Sequence, residues 1–241
     1  MFDDDDAGEG FTIEVDFGRP IPLFPLDGVV LLPMALLKLY IFEPRYRNMV
    51  RDVIESDGVF AMAVFEGDRW KQEYHGAPPI RRSVCVAKIV KHQSLPGGDW
   101  HVIVQGVCRA RVVQELSADA DRLYRAAVLA PLESGRHDED ELCVVRDGLL
   151  STLGTAPLTD LVSVRSVLRE LESREIPTDA LMEVVTLGVL SDKKVQYRLL
   201  AEGNIFRRSE IVEQELGRLR RVMARASLQW DPDAPSGVTW N

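Results

Sequence analysis

The amino-acid sequence predicts an α+β protein: a small, partly closed β barrel with one inserted helix, then an α-helical bundle ending in a long helix. Three observations predict it. Short apolar segments recur from Pro20 to Ala130, separated by prolines, glycines and polar clusters, which is the pattern of many short strands. One stretch within that series, from Pro44 to Ser56, has helical spacing instead. From Glu139 onward the apolar period changes from two to 3.6 residues and stays there.

The elements follow in order. Residues 1–18 open with Asp3–Asp6, which repel one another and bury nothing, so a disordered acidic tail is expected. A barrel subdomain is expected over residues 19–132. Ile21–Leu26 and Val29–Leu32 read as short strands, with Pro22, Pro25 and Pro33 confining them to edges or bends. Leu36–Phe42 alternates, with Leu37, Leu39 and Ile41 on one face and Lys38 and Tyr40 on the other. Pro44 suits the first turn of the inserted helix, where its missing N–H is not needed, and Gly58 ends it. Val59–Phe65 is a compact apolar strand, and Glu66–Pro79 a polar excursion carrying Trp70 and Tyr74. Val84–Val90, Trp100–Gln105, Arg109–Val113 and Tyr124–Ala130 are four further strands, with Gly106 between the second and third.

A helical subdomain is expected over residues 139–229. Leu142, Val145 and Leu149 share one helix face; Leu161, Val164 and Leu168 share another. Thr178 is placed as the N-cap of a third helix, apolar nearly all round, and Ser191 as the cap of a short fourth. Asn204 caps the last helix, whose Val212, Leu216, Leu219, Met223 and Ala226 alternate four- and three-residue steps in a heptad-like seam. That seam can pack on its own chain or serve oligomerisation. Residues 230–241, with two prolines, are expected to be a flexible tail.

Composition excludes several classes. The net charge of −9 divides unevenly: residues 1–16 hold seven acids and no base, residues 17–130 hold 15 bases and 12 acids, and residues 131–241 hold 14 bases and 19 acids. Nucleic-acid binders normally concentrate far more positive charge. No apolar run reaches the length of a bilayer span, and the acidic start lacks the basic-then-apolar order of a signal peptide, so a cytoplasmic location is expected. Cys85, Cys108 and Cys143 form no CxxC pair and sit among apolar residues, as buried free thiols in a reducing compartment would. The histidines are scattered, with no HExxH, and no GxxxxGK[ST] phosphate loop occurs. No catalytic, cofactor or metal residues are therefore assigned.

Pro22-Leu23-Phe24-Pro25-Leu26, the run Phe42-Glu43-Pro44-Arg45-Tyr46, and the later Gly106 and Arg109 together resemble the signatures of the Lon N-terminal domain family. That family is the substrate-recognition module at the front of ATP-dependent Lon proteases. The resemblance runs from Pro20 to about Arg221. It implies a PUA-like pseudobarrel followed by a helical subdomain, here as a stand-alone protein without the ATPase and protease domains. It further implies no enzymatic activity and a role in binding exposed hydrophobic or unfolded polypeptide segments, as an adaptor for a separate ATP-dependent protease or chaperone.

Phe42, Glu43, Pro44, Arg45, Tyr46, Gly106 and Arg109 are read as structural members of the signature. Arg109 and Arg111 are expected on a solvated strand face. The peptide-binding candidates are Pro33, Met34, Leu37, Trp70 and Tyr74, apolar residues at a turn and in a polar loop; Met34 is the adaptable type that promiscuous surfaces favour. The alternative function is RNA binding by the barrel, with Arg81, Arg82, Lys88 and Lys91 as the basic candidates. A small-molecule pocket in the barrel stays open.

Overall fold

The structure is a computed structural model that describes residues 14–73, 76–116, 118, 122–133, 137–173 and 176–229. The expected tails and Tyr74 lie outside the described residues, except Glu14–Gly18. The chain forms two compact units: residues up to Leu26 with Leu36–Pro131, and Asp27–Ala35 with the chain from Leu132 on.

The first unit is a barrel. Its strands are β1 (Ile21–Leu26), β2 (Leu36–Ile41), β3 (Val59–Val64), β4 (Ser83–Ser94), β5 (Trp100–Leu116) and β6 (Ala126–Pro131). The sheet order is β2-β5-β4-β3-β1-β6, and β6 also pairs with β5. Five strands therefore close into a ring, and β2 hangs outside it on the first half of β5. The barrel interior is filled by small side chains, among them Ala61, Ala63, Val84, Val86, Ala110 and Ala127, all fully buried. Helix α1 (Pro44–Ile54) buries Tyr46, Met49, Val50 and Val53, and Tyr46 meets Phe24 edge-on at 4.5 Å. Glu43 precedes it and pairs with Arg45 at 3.0 Å.

Three expectations about this part of the chain change. Val29–Leu32 is not a strand; it is irregular, its segment is grouped with the second unit, and Leu31 and Leu32 are buried. Its apolar run satisfies burial rather than a ladder. Gly106 does not separate two strands, because β5 runs 17 residues unbroken. A register shift sets Val86 opposite Cys108 and Ala87 opposite Gly106, so Val107 is a bulge that bends the strand instead of ending it. Arg109 is not on a solvated face: it is 2% exposed within the barrel wall, whereas Arg111 is exposed.

The second unit is helical: α2 (Glu139–Leu153), α3 (Val162–Ser173), α4 (Thr178–Val189), α5 (Lys193–Ala201) and α6 (Ile205–Gln229). Leucines dominate its core, with Leu142, Leu149, Leu153, Leu158, Leu181, Leu199 and Leu216 all buried. Asn204 caps α6 as expected, its Oδ1 accepting from the amides of Phe206 and Arg207. Two other caps differ. Asp192, not Ser191, caps α5. Thr178 is the first residue of α4, and its amide and hydroxyl both donate to Glu139 of α2, so a neighbouring helix supplies the cap. Buried Arg146 completes that cluster, donating to the Ile176 carbonyl and Thr178 Oγ1 and pairing with Glu139 at 3.7 Å. A second buried cation, Arg208, donates to the carbonyls of Glu202 and Gly203 and pairs with Glu133 at 3.2 Å. Of the three free thiols, Cys85 is buried and Cys108 half-buried, but Cys143 is exposed on α2.

Candidate functional site

β2 is the strand that makes a surface available. It has one neighbour among the described strands, β5, so its other edge carries unpaired backbone donors and acceptors. Its sequence, Leu36-Leu37-Lys38-Leu39-Tyr40-Ile41, is apolar on both faces. Leu37 and Leu39 are half-buried and Ile41 fully buried on the inner face. On the outer face Leu36 is 67% exposed, Tyr40 53%, and Phe42 just beyond the strand 58%.

The register extends this face across the sheet. Tyr40 lies opposite His101 and then Gln93; Lys38 lies opposite Ile103 and then Lys91. Tyr40 stacks against Phe42 at 5.8 Å and meets His101 at 5.3 Å. A tight turn fixes one end of the row. Gly97 and Gly98, both in the left-handed region, bring Leu95 and Asp99 into contact across the β4–β5 hairpin. Asp99 then accepts from the Tyr40 hydroxyl at 2.5 Å and pairs with Arg47 of α1 at 3.4 Å. The hydrogen bond to Asp99 pushes the Tyr40 phenol above its ordinary value. Tyr40 is thereby held as a neutral aromatic ring in one orientation, a preordered contact for an apolar side chain.

The sequence candidates are placed differently from one another. Pro33 is buried. Met34 is 49% exposed and, unusually for a non-glycine residue, sits at φ 64°. Both belong to the second unit. Leu37 is on the inner side of β2. Trp70, in the short 3-10 turn Arg69–Lys71, lies flat on Phe65 at 5.6 Å and packs against the barrel core, so it covers that core. Leu36 and Tyr40 were not among the sequence candidates, and Phe42 was read as a structural member of the signature. Their signal was present: a strand apolar on both faces, with one face already sufficient for the core.

Other site types find little support among the described residues. No cluster of histidine, cysteine and carboxylate side chains could hold a metal, and no helix is long and apolar enough to cross a membrane. Arg82 stands just before β4 and Lys91 nine residues further on, roughly 30 Å at strand rise, so Arg81 and Arg82 are set apart from Lys91. A cleft of about 180 Å³ in the barrel unit is lined by Arg19, Pro22, Asp52, Ser56 and Tyr124 among others. Its polar groups are already engaged, the Tyr124 hydroxyl on Asp52 at 2.9 Å and Arg19 on Asp57. Burial and that bond to Asp52 push the Tyr124 phenol up to about 12.

A closed barrel with an outlying edge strand and a leucine-cored helical unit are the two parts of this architecture. Residues 20–218 match the family described as the ATP-dependent protease La (LON) substrate-binding domain, and the chain belongs to that family. The chain is 24% identical over 222 residues to a Lon protease of Heliobacterium modesticaldum, a match covering 85% of this chain and 24% of that protein. It is 28% identical over 108 residues to Lon protease 2 of Myxococcus xanthus, covering 45% of this chain and 13% of that protein. The chain thus spans about a quarter or less of these relatives. Two solved structures share the fold. The Lon N-terminal domain protein from Xanthomonas campestris has a TM-score of 0.53 at 20% identity, and the N-terminal domain of the Mycobacterium avium complex Lon protease 0.58 at 15%. Each match covers 83% of this chain and 98% of the other.

Proposed function

We propose that this chain is a non-catalytic recognition module that captures exposed hydrophobic or unfolded polypeptide segments and presents them to a separate ATP-dependent protease or chaperone. One observation carries the reading: the apolar row Leu36, Tyr40 and Phe42 stands on a strand whose outer edge is open. An extended segment can add to that edge through main-chain hydrogen bonds, which read no sequence, while alternate side chains rest on the apolar row. Unfolded clients share these two properties and little else. The family membership supports the same reading.

The test is binding of a fluorescent, extended apolar peptide and of a single-stranded RNA, each across a salt series. Peptide binding that resists salt and weakens at least tenfold, about 1.4 kcal/mol, in Leu36→Asp and Tyr40→Ala is the expected result. Met34→Asp probes the half-exposed methionine separately, because Asp tolerates the left-handed region. Salt-sensitive RNA binding without peptide affinity would replace the proposal with the RNA reading.

A further inference from the structure

The last three turns of α6 differ from the rest of that helix. Up to Leu216 its apolar seam is buried, with Val212 and Leu216 fully enclosed by the helical core. Beyond that point Leu219 and Met223 are only partly covered, Val222 is 57% exposed, and Ala226 is exposed. The heptad-like spacing continues across this boundary, so the sequence keeps a seam where the unit's own core has stopped covering it.

The charge changes at the same place. Residues 216–229 contain four arginines and no acid, inside a half of the chain where acids outnumber bases 19 to 14. Arg218, Arg221 and Arg225 are spaced three and four residues apart, which sets them in one row along the helix. That row runs beside Leu219, Val222 and Ala226, which repeat with the same period. Arg218 pairs with Glu215 at 3.8 Å; among the described residues no carboxylate pairs with Arg221 or Arg225.

We propose that this end of α6 docks an acidic amphipathic helix of a partner protein. Parallel apolar and basic rows at helical spacing are matched by a helix carrying an apolar row beside an acidic one. A second copy of the same surface would set arginine row against arginine row. An anionic bilayer is disfavoured by the narrow stripe, whose exposed apolar members are Val222 and the small Ala224 and Ala226. A long polyanion such as nucleic acid would meet the net negative charge of the rest of the chain.

The experiment uses the full chain and a labelled helical peptide of about three heptads with Leu at a and d and Glu at e and g, against the same peptide with Lys at e and g. The Glu peptide is expected to bind and the Lys peptide not. Arg221→Glu with Arg225→Glu should weaken the Glu peptide more than tenfold and gain affinity for the Lys peptide, with the melting temperature unchanged because both positions are exposed. Val222→Ser should also weaken the Glu peptide, by removing an exposed apolar contact without adding charge. Equal affinity for the two peptides, or a charge reversal without effect, overturns the proposal. So does retention on phosphatidylserine vesicles or single-stranded DNA without binding of the Glu peptide.

Discussion

The two units solve burial by opposite means. The barrel core sets alanines and valines among a few larger side chains, and Ala61, Ala63, Ala110 and Ala127 are completely enclosed. A five-stranded ring is narrow, so several of its inward positions take short side chains. The helical unit is built on leucine and buries two arginines, each held by carbonyl and carboxylate partners, while the barrel buries one, Arg109. The barrel around its alanines is therefore limited by space, and the helical core by filling. Converse changes in side-chain size should destabilise the two.

Four predictions sharpen this contrast. Leu149→Ala removes a fully buried side chain from the helical core and should cost about 2–5 kcal/mol, read as a fall in denaturant midpoint with lost amide protection in α2. The converse change in the barrel, Ala61→Leu, should cost about 1–3 kcal/mol by overpacking, with protection lost in β3 and β4. If Ala61→Leu is neutral while Leu149→Ala is not, the barrel has slack and the contrast fails.

The third prediction concerns acid. Partial burial alone pushes the Glu139 carboxyl up, but the Thr178 hydroxyl and amide and the Arg146 guanidinium outweigh it and hold the carboxyl below its usual range. A carboxylate with a depressed folded pKa stabilises above its unfolded value of about 4.5 and loses that contribution as pH falls through the depressed value. Thr178→Val should therefore cost no more than about 1 kcal/mol at neutral pH, because the carboxylate is half exposed, and less as pH falls from the unfolded value through the depressed one. An unchanged difference across that range would remove Glu139 from the account. The smallest effect is expected at the barrel's outlying strand: Leu36→Ala should shift stability by no more than about 0.5 kcal/mol while weakening peptide binding.

Periodicity made the helices legible, because a 3.6-residue apolar face is written over many residues and Leu142, Val145 and Leu149 all lie on it. The strands were legible as apolar runs but not in their continuity. Gly106 looks like a break in one dimension, and only the partner strand shows that it belongs to a bulge. Arg109 could not be placed because burial of a cation depends on partners distant in sequence. Thr178 was misplaced for the same reason, since its acceptor stands 39 residues away. For the candidate site, the alternation of β2 was read correctly, yet its outward half was passed over in favour of a turn and a loop. Which face of an apolar strand remains open is decided by strand order, and sequence alone does not report it.

The open edge of β2 carries one charge at its middle, Lys38, between exposed Leu36 and Tyr40. A strand of this kind is ordinarily a hazard, since two copies can zip edge to edge and grow into aggregates. A lysine on an edge strand is one of the devices with which natural sheets oppose such pairing, since two copies would set like charges on adjoining strands.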